Sequence, residues 1–117
     1  MMDTTFLFEP LNALVAKYRL LSFEDWRARL ASGEEFHDYA DDDEQSQQWW
    51  QAHTGVLEVE KDADGRQYAL VAVTIYAHGV HSSPPAPSAG LKVYEDGIVE
   101  GTWADGSEFS WRQQHAG

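Results

Sequence analysis

Gly55-Val56-Leu57-Glu58-Val59-Glu60 is the point at which the periodicity of this chain changes from helical to alternating. Leu57 and Val59 fall on one side of an extended segment and Glu58 and Glu60 on the other, the pattern of a half-buried strand. Lys61-Asp62-Ala63-Asp64-Gly65 then reads as a turn, and residues 66–77 as a long strand with Ala69, Val71, Val73 and Ile75 on one side. The other side (Tyr68, Leu70, Ala72, Thr74, Tyr76) is also mostly apolar, which predicts a central position in a sheet.

Downstream, Ser82-Ser83-Pro84-Pro85-Ala86-Pro87-Ser88 is poor in ladder donors and predicts an extended connector over residues 79–90. Residues 91–95, 98–103 and 107–112 read as strands joined at Asp96-Gly97 and Ala104-Asp105-Gly106, pairs that favour hairpins. The expected sheet is an antiparallel meander of about five strands.

Upstream of Gly55 the periodicity is helical. Glu9-Pro10 opens a helix over about 10–20, in which Leu11, Leu14, Val15 and Tyr18 share a face and Lys17 and Arg19 lie near the end that favours cations. Ser22 and Asp25 form a capping-box pattern for a second helix over 23–31, with Phe23, Trp26 and Leu30 on one face and Gly33 as terminator. Phe36 and Tyr39 at i,i+3 suggest a short helical anchor, and the Gln, Glu and Ala content of residues 44–53 predicts a third helix ended by Gly55. Trp49 and Trp50 point about 100° apart on such a helix, so only one of them would face a core. The expectation is a single α+β domain over residues 1–117, with a helical part (1–54) packed on one face of a sheet part (55–117).

With 117 residues, 43% of them hydrophobic and 13% aromatic, the chain has the apolar content to build one core. There is no cysteine, so disulfides, thiol chemistry and Cys-type zinc sites are excluded. No basic leader precedes an apolar stretch, and no apolar run approaches the ~18 residues of a membrane span, so the expected location is the cytoplasm without membrane association.

Charge is the most unusual property. The formal net charge of −12 falls wholly within residues 34–117, because residues 1–33 carry four acids and four bases. The densest block is Gly33-Glu34-Glu35-Phe36-His37-Asp38-Tyr39-Ala40-Asp41-Asp42-Asp43-Glu44, with seven carboxylates; no Lys or Arg occurs from Leu30 to Glu60, so Glu58 and Glu60 belong to the same unneutralised block. A second acid-only tract, Glu95, Asp96, Glu100, Asp105 and Glu108, lies between Lys92 and Arg112. Such tracts serve either as solvated faces or as surfaces that imitate rows of phosphates; they repel nucleic acid and attract basic proteins. Trp49 and Trp50 beside the first tract are either core residues or the aromatic anchors of a binding edge.

The signatures of other chemistry are weak. Asp62, Asp64 and Gly65 begin like a calcium loop, but the glycine comes two positions early. His78 and His81 have a spacing suited to a metal pair or an acid–base residue, with no third ligand in sequence. Neither a nucleophile elbow nor a phosphate-cradling loop occurs, and no cofactor is implied.

In Glu34, Glu35, Asp38, Asp41, Asp42, Asp43 and Glu44, in its size and in its helices-then-sheet order, the chain resembles the small acidic DNA-mimic proteins of bacteria, whose charge spacing rather than motif is shared. The resemblance implies a non-catalytic, monomeric protein that occupies the DNA-binding surface of a basic partner such as the nucleoid protein HU, without binding nucleic acid itself. The alternatives are a stoichiometric inhibitor or immunity protein against a nuclease, restriction or CRISPR system, and a small enzyme using His78 or His81.

Overall fold

The computed structural model describes residues 7–40, 50–77 and 88–113. Helix α1 (Phe8–Tyr18) begins two residues before the expected start, with Leu7 at its N-cap and Pro10 within the first turn, where a missing N–H costs no intrahelical bond. Leu11, Leu14, Val15 and Tyr18 form its buried stripe. Helix α2 (Phe23–Ser32) starts with the expected capping box: Ser22 Oγ accepts from the Asp25 N–H at 3.2 Å and an Asp25 carboxylate oxygen accepts from the Ser22 N–H at 3.0 Å. It ends at Gly33, whose φ of 76° suits a residue without Cβ.

Six strands follow in one antiparallel sheet whose spatial order equals chain order: β1 (Phe36–Tyr39), β2 (Trp50–Lys61), β3 (Gln67–Ala77), β4 (Ser88–Tyr94), β5 (Ile98–Thr102) and β6 (Glu108–Arg112). The α+β layout and the meander are as expected, with one strand more and one helix fewer among the described residues. The sheet begins at Phe36 rather than at 55, so the boundary drawn at 54 is corrected. Phe36 and Tyr39 lie on a strand, not on a helical anchor, and the helix expected over 44–53 gives way to strand from Trp50 onward, residues 44–49 lying outside the described part. Residues Trp50 to Thr54 have β1 on one side and β3 on the other, and this two-sided pairing overrides local propensity. Gly55 ends nothing; it sits mid-strand opposite Ala72.

The helices cover one face of the sheet. Leu11, Val15 and Trp26 from the helices meet Val71, Val73, Ile75, Leu91, Val93 and Val99, all completely buried. The β5–β6 turn and Gln113, just after β6, are tied to α1 and the segment that follows it by polar contacts: Asn12 Oδ1 accepts from the Ala104 N–H at 2.7 Å, and Gln113 Nε2 donates to the Arg19 and Leu21 carbonyls at 2.9 and 2.6 Å. The Arg19 guanidinium lies 4.4 Å from the Trp111 ring centroid. No helix among the described residues is long and apolar enough to cross a membrane.

A β-bulge in β2 decides which way the acidic residues point. Val56 pairs with Val71 but Glu58 with Leu70, so Leu57 is an extra residue in the strand and is 62% exposed. Ala52, Thr54 and Val56 face the helices; strict alternation would send Glu58 and Glu60 to that side as well. The bulge resets the pattern. Val59 takes the core side, and Glu58 and Glu60 move to the face that no described helix covers.

Candidate functional site

The uncovered face can be read row by row from the pairing register. Its central rows are Glu58, Leu70, Lys92, Glu100 and Ser110, and next to it Gly55, Ala72, Gly90, Thr102 and Glu108. Glu35, one residue before β1, continues the second row beside Gly55, its side chain 3.0 Å from where a Cβ on Gly55 would lie. Glu60, Tyr68 and Tyr94 form a third row. A depression on this face is lined by Leu70, Gly90, Lys92, Glu100, Thr102 and Glu108. Five glutamates (35, 58, 60, 100, 108) thus share a face with Lys92 and Arg112, and none of the five pairs with a Lys or Arg among the described residues.

Crowding on this face favours the protonated forms of its groups. Glu58 is pushed above the usual carboxylate range, first by its hydrogen bond with Glu60, then by that neighbour's charge and by desolvation. A carboxylate raised in the folded state gains fold stability as pH falls through its pKa and loses it as pH rises, so the pair is least favourable when both groups are ionised. Glu60 also accepts from the Tyr68 hydroxyl at 2.8 Å, and that bond, with burial and the same negative charge behind it, raises Tyr68. Tyr94 is raised by desolvation and by its bond to Glu100.

The other expected site residues separate. Strand alternation sends Asp38 to the helical side, where it accepts from Lys17 Nζ at 2.9 Å and from the Tyr18 hydroxyl. Tyr18 is raised by burial first and then by that carboxylate. Asp38 is therefore neutralised from α1: no base near it in sequence quenches it, but Lys17, distant in sequence, does. Glu34 is exposed and lies 3.9 Å from Arg29. Trp50 is half-buried and packs against the core. Asp41, Asp42, Asp43, Glu44 and Trp49, and also His78 and His81, lie outside the described residues.

The second acidic tract divides as well. Asp96 Oδ1 accepts from the Ile98 N–H at 3.1 Å, and Asp105 Oδ1 accepts from the Ser107 N–H and hydroxyl at 2.9 and 2.6 Å. These bonds build turns, and those from Ser107 hold Asp105 below the usual carboxylate range. Asp62 does the same for the β2–β3 turn, accepting from the Asp64 and Arg66 N–H groups, while Arg66 bridges Asp62 and Asp96 at 3.5 and 3.8 Å. Glu100 and Glu108 remain on the open face.

One group was missed in the sequence. Glu35, His37 and His53 place one donor atom each within 4.8 Å of one another. Reading His53 as helical hid it; alternation across a β1–β2 pair is the signal that exposes it. Comparison with protein-family models, curated proteins and solved structures finds no match to this chain.

Proposed function

We propose that this chain is a non-catalytic binding domain that offers the open face of its sheet to a basic DNA-binding protein and competes with DNA for it. The observation that carries this reading is the set of five glutamates, none of them paired with a Lys or Arg among the described residues, on the sheet face that no described helix covers. A helical side closed by apolar packing and an acidic side held open is the arrangement expected of a domain whose partner is positive. The Glu58 and Glu60 pair supports it further, because two carboxylates in contact repel until a cation lies between them. Asp41, Asp42, Asp43 and Glu44 add four charges to the same chain, and HU is the natural first partner to test.

The test is displacement of fluorescently labelled duplex DNA from HU, followed by anisotropy. The chain is expected to release the DNA at about 0.05 M salt, and to lose that ability near 0.5 M, where the Debye length falls to roughly 4 Å. No release at low salt, or release equally strong at both, contradicts the reading.

A further inference from the structure

We infer that Glu35, His37 and His53 form a binding site for a late first-row divalent metal ion of the zinc class. The site follows from register. His37 pairs with His53 across β1 and β2, and Ala40 donates to the Trp50 carbonyl at 2.9 Å three positions along. Because hydrogen-bonded and non-hydrogen-bonded pairs alternate in an antiparallel ladder, Ala40 with Trp50, Asp38 with Ala52 and Phe36 with Thr54 are bonded pairs, and His37 with His53 is a non-bonded one. That is the kind of pair whose side chains come closest. The two rings stand 4.6 Å apart at 78°.

Glu35 lies two residues before His37 and therefore on the same face. Its carboxylate lies across the next strand over Gly55, where a Cβ would come within 3.0 Å of both Glu35 Cγ and Oε1. Glycine at 55 thus leaves open the space that the carboxylate fills. The three donors, now within 4.8 Å of one another, need to close by at most about 1.4 Å to reach the roughly 3.4 Å separation set by zinc bonds of about 2.0–2.2 Å. Glu35 and His37 are exposed and free to make that adjustment, while His53 is half-buried with its ring edge-on to Tyr76 at 5.9 Å.

Two imidazoles and one carboxylate select zinc-like ions over calcium or magnesium, which prefer oxygen-only sets. Three ligands leave a fourth position facing solvent on the open face, where water or a partner's donor binds.

The experiment is calorimetric titration of the metal-stripped full chain with zinc chloride, with NMR of the histidine side chains. One equivalent is expected to bind and to shift the His37 and His53 resonances. His37→Ala and His53→Ala should each weaken binding by roughly tenfold or more. Gly55→Val keeps all three donors yet occupies the place of the Glu35 side chain, and should weaken binding as well. A His78→Ala, His81→Ala variant should bind as the parent does. Should the β2 variant fail to fold, His37→Ala on the edge strand decides alone. Absence of zinc binding, an unchanged affinity in folded His37→Ala, or loss of binding in the His78→Ala, His81→Ala variant overturns the inference.

Discussion

Replacing Glu58, Glu60, Glu100 and Glu108 together by glutamine is expected to slow association with HU by roughly ten- to a hundredfold, because steering by a one-signed face raises encounter rates by factors of that order. The fold should not suffer. All four side chains are exposed, and glutamine keeps their volume and, at position 60, an acceptor for the Tyr68 hydroxyl. Removing the Glu58–Glu60 repulsion should hold or slightly raise thermal stability at neutral pH, where the parent pair is least favourable. Glu35 is left in place, so the metal inference is tested separately. Stopped-flow association and a melting curve check both halves of the expectation. An unchanged association rate means that the open face is only solvated surface, and a large fall in melting temperature means that these glutamates are structural.

The second large effect lies on the opposite side of the sheet. Trp26 is completely buried, stands edge-on to Phe36 at 5.8 Å and packs against Tyr18 at 6.1 Å. Truncation to alanine removes these contacts and leaves a cavity between α2 and the sheet, at a cost of about 3–5 kcal/mol. That corresponds to a fall in melting temperature of roughly 10–25 °C. Trp26→Phe should recover most of the loss, since the indole N–H has no hydrogen-bond acceptor among the described residues to forfeit. Below its melting transition Trp26→Ala should still bind HU normally, because the helices lie on the face away from the glutamates. Scanning calorimetry and binding at about 10 °C separate the two; impaired binding by the folded variant contradicts a division of labour between the faces.

Where local chemistry decides structure, the sequence was legible. Ser22 and Asp25 cap α2 reciprocally, Gly33 ends it, Asp96-Gly97 and Asp105-Gly106 turn hairpins, and the alternation of Ala69, Val71, Val73 and Ile75 marks the central strand. Where partners come from far along the chain, it was not. Residues 50–53 have the composition of a helix and become strand because β1 and β3 claim both edges. The Leu57 bulge, which turns Glu58 and Glu60 outward, depends on how β2 meets β3 and has no local signature. Asp38 is neutralised by Lys17, 21 residues away, so counting charges along the chain overstated the free acidic row. His37 and His53 meet only through register, and each alone is an unremarkable polar residue.

The central claim is that the open face of the sheet is the binding surface. Amide chemical-shift mapping of the labelled chain, titrated with HU at low salt, tests it most directly. Perturbations are predicted to concentrate on Glu58, Glu60, Leu70, Lys92, Glu100 and Glu108, to leave Leu11, Val15 and Trp26 unmoved, and to vanish at about 0.5 M salt. Perturbations confined to α1 and α2, or shifts at the open face that persist at high salt, would contradict it.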